Sequence, residues 1–165
     1  MKNKLVIITS WLLVLLTMII IFNFSGQSAT QSSQVSEGVV VEILGIVMDK
    51  EEITPPVIQK FQFPIRKLAH FGIYMLLGFC MMNAFFNTVK LKQWLNLSFS
   101  SVACILYAVF DEAHQSFSEG RGPGVLDVVI DSCGSVVGIA LFMLFILIYK
   151  RILTKKSRTQ KACPS

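Results

Sequence analysis

Three runs of polar residues in this chain have the types and spacing to do chemistry. In the first, Arg66, His70 and Tyr74 recur at every fourth position, with Lys67 beside them. On a helix they share one face and descend about 6 Å per step. In the second, Asp111 and Gln115 share a face, with Glu112 and His114 between them. In the third, Asp127 and Asp131 share a face that Gly134 and Gly138 continue. Arg121 lies between the second and third runs, among Gly120, Gly122, Pro123 and Gly124. A guanidinium in such a loop presents paired planar donors suited to phosphate or carboxylate, which a lysine reproduces poorly.

Three chemistries suggest themselves. Residues 111–114 spell the acidic box of a helicase, but no Gly-x-x-x-x-Gly-Lys-Ser/Thr loop occurs to cradle phosphates, so the match is coincidental. Imidazole and carboxylates are ligand types for zinc or manganese, yet no spacing such as His-Glu-x-x-His fixes a site, and no metal or cofactor is expected. A histidine beside a carboxylate can act as a general base. No nucleophile with an oxyanion-stabilising turn accompanies it, so catalysis is the alternative reading, with no catalytic residue assigned.

The elements that must position these residues are set by composition. The chain has 165 residues, 53% of them hydrophobic, and a mean hydropathy of +0.63. That is too apolar for an ordinary soluble domain. A bilayer core about 30 Å thick needs roughly 20 apolar residues in a helix. Four windows qualify, at about 5–24, 68–86, 94–110 and 126–149. The first follows Lys2 and Lys4 and has the outline of a secretory signal. Its apolar run exceeds the roughly 7–15 residues of a signal core and no Ala-x-Ala site follows, so it is read as a retained anchor. The third is the weakest, because Asn96, Ser98, Ser100 and Ser101 lower its hydropathy; such residues suit a helix packed inside a bundle. The four cysteines show no paired spacing and are read as helix-contact residues.

Orientation follows from the cations. Lys2 and Lys4, Lys90 and Lys92, and the basic segment from Lys150 to Lys161 share one side if the chain crosses four times. That side is the cytoplasm, so both termini are expected there. Every acidic residue, from Glu37 to Asp131, then falls in the opposite loops or adjoining helix ends. The net charge of +5 is thus a topology signal, and no nucleic-acid partner is implied.

The loop at 25–63 is long enough for structure of its own. Ser32 and Ser33 are candidate caps for a helix with Val35, Val39, Ile43, Ile46 and Val47 as an apolar stripe, ending before Pro55 and Pro56. Lying along the outer interface and packing on the bundle are both open to it. Pro64 suits the first turn of the second span. The expected fold is therefore an all-α membrane protein: a four-transmembrane-helix bundle with an extracytoplasmic interfacial helix between helices 1 and 2. Residues 1–150 form the transmembrane domain and 151–165 a basic cytoplasmic tail.

With four crossings the three polar runs meet at the outer end. Ionisable groups at membrane depth cost about 2.5–3.5 kcal/mol at the centre and less near the ends, so they face inward and pair. Arg66, Lys67 and Arg121 are the cations available to Asp111, Glu112, Asp127 and Asp131. Such pairing describes a clasp between helix ends as well as a ligand site. The gathering of a His, a Tyr, a Gln and opposed charges on one face favours the site.

The runs also carry a resemblance. Arg66-Lys67-Leu-Ala-His70-Phe71-Gly-Ile-Tyr74, Asp111-Glu112-Ala-His-Gln115-Ser-Phe117, Gly120-Arg121, and Asp127 to Asp131 continuing to Gly134 and Gly138, in that order, resemble the VanZ-like family. Phe22-Asn-Phe24-Ser25-Gly-Gln27 resembles a segment of many members. The likeness spans nearly the whole chain apart from the basic tail. It implies a small multi-pass bacterial membrane protein, in a family named for a member associated with teicoplanin resistance. It also implies a site at Arg66, Lys67, His70, Tyr74, Asp111, Glu112, Gln115, Arg121, Asp127 and Asp131, with Gly134 and Gly138 packing helices. Asp131 stands where many members have Asn and adds a negative charge; His114 lies outside the family pattern. The partners implied are the bilayer and a lipid-linked wall precursor, a phospholipid or a glycopeptide. A small membrane enzyme acting on such a lipid is the alternative.

Overall fold

The structure, a computed structural model, describes residues 4–27, 29–89, 91–117 and 124–161. It is all-helical among them. Helix α1 spans Lys4–Ser25, α2 Ala29–Val47, α3 Pro55–Thr88, α4 Gln93–Gln115 and α5 Val125–Lys161, with a 3-10 turn at Lys50–Glu52. Helices α1, α3, α4 and α5 are each long and apolar enough to cross a membrane, and α2 is a shorter helix between the first two. As the four serine and asparagine positions lead one to expect, α4 has the lowest mean hydropathy of the four, 1.4.

Helix α3 packs against all four others and forms the centre of the bundle. Helices α1 and α4 turn stripes of mostly small or polar residues inward and leave most of their large apolar residues outside. Ser10, Val14, Thr17, Ile21 and Ser25 are the buried positions of α1, and Asn96, Ser100, Cys104, Ala108, Asp111 and Gln115 lie on that of α4. The outward Leu, Ile and Phe side chains are exposed. Lipid solvates them as well as protein does, so association rests on close packing and interhelical hydrogen bonds. Two such sets tie α1 to α3. Ser10 Oγ accepts from Asn83 Nδ2 at 3.1 Å and Asn87 Nδ2 at 3.3 Å. Trp11 Nε1 donates to Thr88 Oγ1 at 2.8 Å. The Tyr107 hydroxyl donates to the Met18 carbonyl at 2.7 Å and joins α4 to α1.

The tightest approach is between α3 and α5. A Cβ on Gly134 would collide with the Phe71 carbonyl, one on Gly138 with the Met75 carbonyl, and one on Gly78 with the Ser135 carbonyl. Gly134 and Gly138 thus lie at the crossing of α5 and α3, and Gly78 is a third glycine there that the spacing on α5 alone does not reveal.

Two local expectations are corrected. Helix α3 starts at Pro55, with proline at its first two positions where a missing N–H costs nothing, so Pro64 is interior and not in the first turn. At 34 residues, α3 is about 51 Å long and extends beyond a bilayer core. Helix α2 begins at Ala29, which puts Ser32 and Ser33 inside it and not at its cap. The Ser36 hydroxyl donates to the Ser32 carbonyl at 2.7 Å, and Gln62 Nε2 on α3 donates to the Ser33 carbonyl at 2.6 Å. The buried face of α2 is Ser32, Ser36, Val40 and Leu44, whereas the stripe from Val35 to Val47 is exposed. Helix α5 continues past Tyr149 through the basic segment to Lys161, where lysine and arginine favour helix and no Gly or Pro interrupts it.

Candidate functional site

The polar runs of α3, α4 and α5 converge at the end of the bundle that carries α2. Antiparallel packing brings them together: α3 begins there, α4 ends there and α5 begins there. The glycine contacts hold α5 so close to α3 that Asp131, one turn before Gly134, reaches His70, one residue before Phe71. His70 Nδ1 lies 3.8 Å from Asp131 Oδ1. With Asp111 from α4 these side chains form a compact group, one ligand atom from each lying within 4.8 Å of the others. Asp111 is 1% exposed and Asp131 2%, which places two carboxylates in an apolar interior. Asp111 Oδ2 accepts from Gln115 Nε2 at 3.0 Å. Asp111 Oδ1, Asp131 Oδ1 and the fully buried Tyr74 hydroxyl have no hydrogen-bond partner among the described residues. Tyr74 lies within electrostatic reach of both aspartates.

The other charged positions separate from this group. Lys67 forms an ion pair with Asp127, and its Nζ also lies 5.1 Å from the Phe63 ring centroid. Glu112 Oε1 accepts the backbone N–H of Gly124, so it holds the start of α5 against the end of α4. The first contact ties the interior of α3 to the start of α5, and the second joins the end of α4 to the start of α5. His114 turns towards α1, where its ring stacks on Phe22 at 4.3 Å. Arg121 lies outside the described residues.

Arg66 is placed differently again. It is half-buried in the wall of a cavity of about 350 Å³ among α1, α2 and α3, lined by Ile21, Phe24, Val35, Val39 and Ile73 and shared by His70. No carboxylate among the described residues makes an ion pair with it. An apolar chamber of this size with a guanidinium and an imidazole in its wall fits an amphiphile with an anionic group. Sequence reasoning missed the cavity, because it exists only where three successive helices pack around a gap, and their packing is not written in the periodicity of any one of them. The one trace is the 22–27 segment, whose Phe24 and Gln27 contribute to the wall.

The ten predicted positions therefore divide. His70, Tyr74, Asp111 and Asp131 meet at one point with Gln115 supporting Asp111. Arg66 faces the cavity next door. Lys67 and Asp127 tie α3 to α5, Glu112 joins α4 to α5, and Arg121 lies outside the described residues.

A protein-family model described as VanZ/LLP1 matches residues 10–147. No curated protein and no solved structure matches the chain. The match runs from the first turns of α1 to well into α5 and takes in every described site residue, so this chain belongs to the VanZ/LLP1 family and is a membrane protein of that family.

Proposed function

We propose that the protein is a non-enzymatic component of a bacterial cell envelope. It engages a phosphate-bearing lipid, either a phospholipid or a lipid-linked wall precursor, and so contributes to tolerance of teicoplanin-type glycopeptides. The observation that carries this reading is the cavity of about 350 Å³ with Arg66 and His70 in its wall. Acyl or prenyl carbons suit its apolar lining and a phosphate suits the guanidinium. The site faces outward and both termini are cytoplasmic, in keeping with the lysine and arginine distribution. The exposed apolar stripe of α2 lies along the outer interface beside the mouth.

A second reading is a small membrane enzyme that uses His70 with Asp111 on the same class of lipid. It is favoured by the imidazole beside buried carboxylate oxygens that accept no hydrogen bond.

Purified protein in nanodiscs, titrated with short-chain phosphatidic acid and with an undecaprenyl phosphate analogue, tests the site. Arg66→Gln is expected to weaken binding of the preferred lipid at least tenfold, as loss of a charge-assisted contact implies. Filling the cavity with Ala69→Phe is expected to do the same. Equal affinity in all three proteins would sink the proposal, and turnover of either lipid would promote the enzyme. For the topology, single cysteines at 90 and 155 are expected to resist an impermeant thiol reagent in intact cells, and one at 121 to react. The opposite pattern reverses the orientation.

A further inference from the structure

The group at the meeting point of α3, α4 and α5 gathers two buried carboxyl groups around one imidazole. Asp111 and Asp131 are both almost fully buried, and Lys67 is taken by Asp127. His70 brings the one nitrogen ligand of the group among the described residues. Buried carboxylates are stable when paired or when they coordinate a metal. Here each aspartate keeps one oxygen, Oδ1, with no hydrogen-bond partner at normal distance among the described residues, that of Asp131 facing His70 Nδ1 at 3.8 Å, and the buried Tyr74 hydroxyl lies beside Asp111. Two helices thus aim carboxylate oxygens at one point that an imidazole nitrogen from a third also reaches.

We propose that His70, Asp111 and Asp131 bind a divalent transition-metal ion of the zinc or manganese class, with the Tyr74 hydroxyl at its edge. The mixture of one imidazole with two carboxylates, and no thiolate, selects that class over copper(I) or an iron–sulfur cluster. The donor atoms lie within 4.8 Å of one another. Bonds of about 2.0–2.2 Å to a shared ion need only a small inward rotation of these side chains. Two carboxylates neutralise the dication, which settles the charge of the group without any further residue. Three protein ligands also leave a coordination position open. Since His70 belongs to the cavity wall as well, that position faces where an anionic headgroup would lie. Only this last role rests on the lipid-binding reading; the metal site itself does not.

The full-length chain, purified in detergent, stripped with a chelator and given no lipid, is titrated with Zn²⁺ and separately with Mn²⁺. Metal content after gel filtration gives the stoichiometry, and Co²⁺ absorption reports the ligand field. One ion per chain is expected. Asp131→Asn and His70→Gln are each expected to weaken binding at least tenfold and to change or abolish the Co²⁺ bands. Metal is expected to raise the Tm of the parent and not of these variants. His114→Gln, which removes a histidine stacked on Phe22 outside the group, is expected to bind as the parent does. If Asp131→Asn fails to accumulate, His70→Gln carries the test, since its side chain is 25% exposed. The proposal is overturned if the parent binds no stoichiometric metal, if His70→Gln binds as tightly as the parent, or if His114→Gln loses as much. With lipid absent throughout, failure here leaves the Arg66 experiment untouched, and failure there leaves this one standing.

Discussion

Gly138→Ala is expected to destabilise the protein by about 3 kcal/mol or more and to cut its abundance in the membrane severely. The added methyl would overlap the Met75 carbonyl and press on the Phe79 amide. Neither can move aside as a flexible side chain would, because both belong to the backbone of the central helix. Relief requires α5 to back away from α3, and overpacking of that kind costs about 1–3 kcal/mol even where side chains can yield. Separation would also take Asp131 away from His70, so site function falls with stability. Gly72→Ala is the matched control. It lies on the same helix α3 with nothing within 4 Å of a new Cβ, so the exchange is expected to be neutral or to stabilise by about 0.5–1 kcal/mol. Thermal melting of both variants in one detergent decides the matter. Similar melting temperatures for the two would mean that the close approach does not hold the bundle together.

Charge reversal at the clasp is expected to have the next largest effect. Lys67→Glu would set a carboxylate against Asp127 at a point where the side chains are 17% and 27% exposed. Fully buried pairs cost about 3–5 kcal/mol to break and exposed ones about 0–1 kcal/mol, so a half-buried site should lose about 2 kcal/mol. Because the contact is an ion pair between two helices, the double exchange Lys67→Glu with Asp127→Lys should recover most of the loss. Metal and lipid binding should recover along with it. Recovery of stability without recovery of binding would instead assign Lys67 or Asp127 to a ligand. No recovery of either would mean that the pair does not clasp α3 to α5.

The number of spans was legible because each requirement for crossing a bilayer is local. A continuous apolar run of the right length is a property of neighbouring residues, and so is the alternation of basic and acidic flanks. The polar runs were legible for the same reason: the four-residue spacing of Arg66, His70 and Tyr74 defines a helix face whatever surrounds it. Starts of helices were read less well. Pro64 and Pro55 both satisfy the local rule for a first turn, and only the packing of α3 beneath α2, with Gln62 reaching Ser33, places the start at Pro55.

What a run of residues determines alone is therefore which groups share a face and where charge cannot be left unpaired. Partnership was decided elsewhere. Asp127 and Asp131 lie one turn apart and look equivalent in the chain, yet one is paired with Lys67 and the other sits beside His70 and Asp111. Arg66 and Lys67 are adjacent, yet one faces a cavity and the other an aspartate. The aspartate assignments depend on the rotation of α5 against α3, constrained where a side chain at Gly78, Gly134 or Gly138 would collide with backbone, whereas Arg66 faces its cavity because α1 and α2 pack against α3. Helical periodicity has no information about that rotation. It arises only when two backbones approach closely enough for carbonyl groups to exclude a methyl, and that approach turns scattered polar residues into one group of donors.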